Sequence, residues 1–211
     1  MAAVTVGLLG GAFDPPHVGH VALARVGIGR FALDRLLVRV VADPGHKDVQ
    51  TDAESRLALA RLAFAPLGCA EVELDPFART VDSLEALALD DPVFLLGADE
   101  FADLPGWKEP DRVLELARLG VAARPGVDPQ RLEAVLERLA RPDRVTFFEL
   151  APHPVSSSEI RALVAAGASI AGLVPAAVEA EIARRGLYAE PGRPGVGGTL
   201  RADPTERTTP T

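Results

Sequence analysis

Residues 10–20 read Gly-Gly-Ala-Phe-Asp-Pro-Pro-His-Val-Gly-His. A short apolar run with strand character, Val4–Leu9, leads into them, and an Ala-, Leu- and Val-rich stretch with a helical pattern begins at Val18. A strand that turns through glycines into a helix brings backbone N–H groups and the positive end of a helix dipole to one spot, a place that favours an anion. His17 and His20 stand three residues apart where the helix starts, so both imidazoles can face the same phosphates. Two glycines alone would say little. A tight turn capped by two histidines could explain the spacing, but it requires neither Phe-Asp nor the whole ordered set.

The rest of the chain alternates in the same sense. Strand-like segments recur at 4–9, 35–41, 69–74, 92–96, 119–123 and 144–149, with helical patterns between them at 18–31, 53–65, 80–89, 109–118 and 128–140. That order predicts an α/β fold, a doubly wound parallel sheet whose ligand crevice opens at the carboxyl ends of the strands. Two C-terminal helices follow, over 156–166 and 175–185, each closed by a glycine, Gly167 and Gly186. A length of 211 residues suits one such domain, expected over 1–190. From Pro191 the chain is Pro, Gly, Thr and mixed charge with almost nothing to bury, so 191–211 is expected to be a disordered tail.

Charge limits the partners. Lys+Arg 22 against Asp+Glu 30 leaves a net charge of −8, so no global field draws in nucleic acid or an anionic membrane, and cations for a polyphosphate must be gathered locally. The only two lysines, Lys47 and Lys108, both fall in segments that stand out for other reasons. Cys69 is the only cysteine, which excludes an internal disulfide or a multi-cysteine zinc site and reads as a small core residue. The N-terminus lacks a basic region ahead of its apolar stretch, and no apolar run approaches about 18 residues, so the expected location is cytoplasmic.

Further segments carry groups that suit a nucleotide. Gly45-His46-Lys47 follows the second strand, where a cation can close over phosphates. Arg79-Thr80-Val81-Asp82-Ser83-Leu84 opens the helix after the third strand; Thr80 and Asp82 also suit an ordinary N-cap and first turn. Leu95-Leu96-Gly97-Ala98-Asp99 ends the fourth strand, where Gly97 lets a ribose approach and Asp99 can accept from its hydroxyls. Trp107-Lys108 follows beside the presumed crevice with the chain's single tryptophan. Val155-Ser156-Ser157-Ser158-Glu159-Ile160-Arg161 has capping-box spacing, and its serine hydroxyls and arginine also suit a polyphosphate.

The first segment resembles the nucleotide-binding signature G-x-F-D-x-x-H-x-G-H of the nucleotidylyltransferase superfamily, whose members transfer a nucleotidyl group from a nucleoside triphosphate and release pyrophosphate. Taken with the other segments, with Arg124-Pro125-Gly126 and with the ending Val174-Pro175…Ile182…Gly186-Leu187-Tyr188, the resemblance over residues 4–189 is to the nicotinate-mononucleotide adenylyltransferase family. It implies a Rossmann-like fold and the joining of ATP and nicotinate mononucleotide into deamido-NAD. It implies His17, His20 and Arg161 as catalytic residues and Gly10, Gly11, Phe13, Asp14, Gly97, Asp99 and Ser157 at the ATP. Lys47, Arg79, Thr80, Asp82 and Trp107 would meet the mononucleotide, and Mg²⁺ would accompany the triphosphate without a protein cage. The partners implied are small molecules, neither nucleic acid nor membrane, with a homo-oligomer left open. The rivals are another adenylyltransferase of the superfamily, with nicotinamide mononucleotide or phosphopantetheine as acceptor, and a regulatory module that binds nucleotide without turning it over. The chain departs from the family at Val40 and Gly45, where prolines are usual, and at Ala78-Arg79, where a Ser-Tyr pair is usual.

Overall fold

The computed structural model describes residues 4–45, 49–123 and 128–190. Its six strands are β1 (Val6–Gly11), β2 (Arg35–Val41), β3 (Ala70–Asp75), β4 (Val93–Gly97), β5 (Arg118–Ala123) and β6 (Val145–Glu149). They form one sheet in the order β3-β2-β1-β4-β5-β6, every neighbouring pair parallel. Parallel strands joined by helical crossovers are covered on both faces, which is why β1, β2, β4 and β5 read as nearly unbroken apolar runs.

Helices α1 (Val18–Phe31), α2 (Ala53–Phe64), α7 (Ser157–Ala165) and α8 (Ala176–Arg185) cover one face, around Leu9, Leu36, Val38, Leu59, Phe64, Ile160 and Ile182. The other face carries α3 (Thr80–Leu87), α4 (Ala98–Ala102), α5 (Pro110–Leu116) and α6 (Pro129–Leu136), around Leu8, Leu37, Leu84, Leu96, Phe101, Leu114 and Leu119. Burial of these apolar side chains, at about 25 cal/mol per Å² removed from water, is the main stabilising term.

The site follows from the strand order. β1 pairs with β2 over all of Val6–Gly11, but with β4 only at Gly7 and Leu8. Beyond Leu8 the two central strands part, and the helices that follow them leave on opposite faces. This is the switch point of a doubly wound sheet, where the crevice lies outside the carboxyl ends.

Sequence periodicity matches the observed elements to within a few residues: the helix expected over 128–140 ends at Leu136 and the first strand starts at Val6, and three further differences bear on the site or core. β1 runs two residues further than the apolar pattern, because Gly10 and Gly11 still pair with Arg39 and Val40. The short helix α4 begins directly after Gly97, so Asp99 lies in a first helical turn instead of at a strand end. Cys69 is only half-buried, in the turn just before β3. The expected tail over 191–211, the Lys47 loop residues 46–48 and Arg124-Pro125-Gly126 lie outside the described residues.

Candidate active site

Two cavities flank the end of β1. One, of about 420 Å³, is lined by Phe13, Asp14, His17, His20, Gly97, Asp99, His153, Ser157 and Arg161. The other, of about 500 Å³, is lined by Arg39, Asp75, Arg79, Thr80, Ser83, Phe94 and Trp107. Gly10, Gly11, Ala12 and Glu100 line both, so the cavities meet over the glycine turn. Two substrates seated side by side would bring their ends together there.

In the first cavity the histidines form a unit. His17 is the N-cap of α1, with extended backbone at φ −131° and ψ 173°. Its N–H donates to His20 Nδ1 at 3.2 Å, so His20 carries its ring proton on Nε2 when neutral. The two rings stack with centroids 3.7 Å apart. Gly19 makes this arrangement possible, since a Cβ there would come within 3.1 Å of the His17 ring. Burial first, and His153 second, hold the His17 imidazole down to about 4, against an opposing pull from Glu159. His17 is therefore a neutral ring at physiological pH and serves as a hydrogen-bonding group, not a cation. The helix start is less open than its sequence suggests: the N–H of Val18 already donates to Leu173 O at 3.0 Å.

The other residues expected at the ATP are close by, though several are turned inward. Phe13 is in the left-handed region, φ 51°, with its buried ring edge-on to Phe64 and His20. Asp14 is 2% exposed; its carboxylate accepts from Gln50 N (2.6 Å), Thr51 Oγ1 (2.6 Å) and Tyr188 OH (2.7 Å). These bonds fasten Gln50, Thr51 and Tyr188 to the turn, while Asp14 still lines the cavity. Burial, then the bond to Asp14, raises the Tyr188 phenol well above its ordinary value, so it stays a donor. Arg161 is 7% exposed, with Nη1 donating to Asp14 O at 2.9 Å and Nη2 to Ser158 Oγ at 3.3 Å. Ser157 spends its hydroxyl proton on Pro15 O at 2.8 Å, and the capping box of Ser156 and Glu159 is formed. Asp99 is exposed on the rim. A Cβ at Gly97 would meet nothing within 4 Å, so no packing demands a glycine there and the open space is the cavity itself.

In the second cavity Trp107 stands half-buried at the rim, edge-on to Phe94 with centroids 6.1 Å apart. Thr80 opens α3, and Arg79, its N-cap, is exposed on the cavity edge. Asp82 is not itself among the lining residues; it pairs at 2.7 Å with Lys108 Nζ, and Lys108 does line the cavity. One turn of helix separates Thr80 from Ser83, and Ser83 is the residue of that segment that faces inward, donating to buried Asp75 at 2.6 Å.

Sequence reasoning missed four residues. Arg56 is 1% exposed and donates to Ala12 O (2.9 Å), Val41 O (2.7 Å), Ala42 O (2.7 Å) and Thr51 O (3.3 Å), fastening the ends of β1 and β2 together. Tyr188 and His153 were not foreseen as wall or clamp. Arg39 sits on the floor of the second cavity. A charge flanked by buried Ser55 and Leu57 was the available sign for Arg56, and a charge inside the apolar run Leu36–Val41 for Arg39.

A family model described as Cytidylyltransferase-like matches residues 8–163. A probable nicotinate-nucleotide adenylyltransferase of Thermomicrobium roseum is 38% identical over 195 residues, covering 87% of this chain and 91% of that protein. One of the same name from Roseiflexus sp. is 38% identical and covers 89% and 100%. The chain belongs to the nicotinate-nucleotide adenylyltransferases, within the cytidylyltransferase-like family. It is accordingly a nucleotidyltransferase. Its fold also matches that of Plasmodium falciparum nicotinic acid mononucleotide adenylyltransferase complexed with NaAD, with a TM-score of 0.70 at 16% identity over 88% of this chain and 98% of that one. Within this family member, no helix among the described residues is long and apolar enough to cross a membrane. Nor do the described residues include a group of three or more His, Cys, Asp or Glu that could hold a metal ion.

Proposed function

We propose that this chain transfers the adenylyl group of MgATP to the 5′-phosphate of nicotinate mononucleotide, giving deamido-NAD and pyrophosphate. The observation that carries the reading is the meeting of two cavities over Gly10–Ala12, one beside the paired histidines and one beside the tryptophan. An oxygen of the mononucleotide phosphate attacks the α-phosphorus, the bond from that phosphorus to the bridging oxygen breaks, and pyrophosphate leaves with the electron pair. The attacking phosphate is already anionic near neutral pH, so no protein nucleophile or general base is required. Catalysis is then alignment and stabilisation of charge on the transferring oxygens.

In this reading His17 and His20 face the phosphates as hydrogen-bond donors, Gly97 and Asp99 meet the ribose, and Ser157 and Arg161 hold the wall behind the leaving group. Lys47 supplies a charge to the phosphates, and Trp107 with Thr80 takes the pyridine ring. Mg²⁺ enters on the phosphates as part of the substrate. The inward bonds of Asp14 leave its carboxylate poorly suited to a metal. The activity belongs to a single domain over 1–190, acting in the cytoplasm.

The test is pyrophosphate release from MgATP with nicotinate mononucleotide, nicotinamide mononucleotide and phosphopantetheine offered separately, with the dinucleotide product identified by mass. Release with the nicotinate acceptor is expected. Release with phosphopantetheine alone, or with none of the three, would overturn the reading.

A further inference from the structure

Tyr188 is the chain's only tyrosine, and it stands just past the end of α8. That helix closes at Gly186 in the left-handed region, φ 64°, which a glycine adopts freely. Two residues on, Tyr188 adopts the same region, also with φ 64°. For a bulky residue this backbone is strained and persists only where the surroundings fix it. Two contacts do so here. The ring packs against the core cluster that includes Leu23, Leu57 and Ile182, and the phenol donates to Asp14 Oδ1 at 2.7 Å, across 174 residues of chain.

The far end of that bond is strained as well. Phe13, directly before Asp14, has φ 51°, so two bulky residues in the left-handed region meet at one carboxylate. Gln50 and Thr51 reach this carboxylate from the stretch ahead of α2, and Tyr188 reaches it from behind α8. Held from two elements, it cannot follow either one alone. The turn it fixes carries two parts of the histidine cavity. The Phe13 ring stands edge-on to His20 with centroids 5.1 Å apart, and Asp14 O accepts from Arg161 Nη1 at 2.9 Å. Tyr188 itself lines neither cavity.

We propose that Tyr188 is a positioning residue of the histidine cavity, setting the places of His20 and Arg161 through Asp14 without touching a substrate. The inference rests on the adenylyl-transfer reading above. A buried carboxylate left short of a donor turns to find another, and the strained backbone that carries it moves with it. His20 shares that movement through Phe13, and His17 through its stacking on His20. Arg185 supplies the contrast. It ties the same end of α8 to α2 through Ser55 Oγ at 3.2 Å, and its other printed bond is to Glu181, one turn back on α8.

The experiment compares Tyr188→Phe and Arg185→Met with the wild type. Tyr188→Phe keeps the packed ring and loses only the hydroxyl. Its kcat at saturating substrates should fall about tenfold or more, as misplaced reacting groups do. KM for nicotinate mononucleotide should stay, because Asp14 lines only the first cavity. Arg185→Met loosens the same helix end and should keep kcat within about twofold. A Tyr188→Phe enzyme with wild-type kcat overturns the proposal. So does an equal loss in both variants, since docking of the C-terminal helix would then account for it. Histidine-ring NMR reads the positioning without turnover: the His17 and His20 signals should move in Tyr188→Phe and hold in Arg185→Met, and unmoved signals in Tyr188→Phe overturn the proposal. Should Tyr188→Phe fail to fold by thermal melting, fluorotyrosine incorporation labels this one residue in the intact chain. Its fluorine signal should move when MgATP binds by calorimetry, and a signal unmoved by bound MgATP overturns the proposal equally. A wild type that releases no pyrophosphate, with ring signals that still move in Tyr188→Phe, would refute the activity and leave the positioning standing.

Discussion

The cavity beside the histidines and the cavity beside the tryptophan are held together by different means. Around His17 and His20 the polar side chains turn inward onto the protein: Asp14 onto Gln50, Thr51 and Tyr188, Arg161 onto Asp14, Ser157 onto Pro15 and Arg56 onto the ends of β1 and β2. Across Gly10–Ala12, the partly exposed Lys108–Asp82 pair and Arg79 stand at the cavity edge. Buried hydrogen bonds hold one geometry, while exposed ion pairs contribute little and yield easily. The cavity beside the histidines is thus fixed by backbone and a buried network, whereas beside the tryptophan the buried bonds are those of Asp75 with Ser83 and Arg39 and the remaining polar groups stand nearer the surface. Of the chain's departures from its family, Ala78 and Arg79 line that second cavity.

The largest expected effect breaks the fixed half. His20→Ala should lower kcat by about 10²–10³, or about 2.7–4 kcal/mol, with a smaller change in KM for MgATP, because a donor to developing charge acts mainly in the transition state. Steady-state kinetics at saturating ATP checks this; normal turnover would remove the histidine pair from the chemistry and dissolve the contrast between the cavities.

A second effect reports the burial of His17. Its imidazole is held down to about 4, whereas an unfolded chain takes the same proton near about 6.5. Between those values the unfolded state binds more protons, so stability falls as pH is lowered through the window, by about 3 kcal/mol at most. Denaturant unfolding from pH 7 to 4 should show this slope, and His17→Asn should lose that part of it. A ring titrating near its ordinary value by NMR would contradict the enclosed site.

The smallest effect belongs to the cavity beside the tryptophan. Trp107→Ala removes stacking and cation–π attraction worth about 0.5–2 kcal/mol, so KM should rise roughly twofold to thirtyfold for both mononucleotides alike. A shift in the acid-to-amide ratio would contradict a purely stacking role for Trp107.

Much of this was legible in the residues, and the misses share a cause. α1 begins and ends where the apolar pattern placed it, Val18–Phe31, because its periodic face packs on the sheet as periodicity assumes. α4 was not foreseen because five residues are too few to show a period. Arg56 and Arg39 carry charges that a helix face or a strand edge would normally show to solvent. Their burial is decided by carbonyls and carboxylates distant in sequence, such as Ala12 O with Arg56 and Asp75 with Arg39. Asp14 was legible as part of the motif but not in its direction, since Tyr188, its partner, lies 174 residues away.

The most direct measurement is a crystal structure with deamido-NAD bound. The adenosine half is expected between Gly97, Asp99 and the paired histidines, the phosphates over Gly11 and Ala12, and the pyridine ring on Trp107. A dinucleotide bound the other way round, or one whose pyridine ring lies outside the cavity of Trp107, would contradict the division of labour between the two cavities.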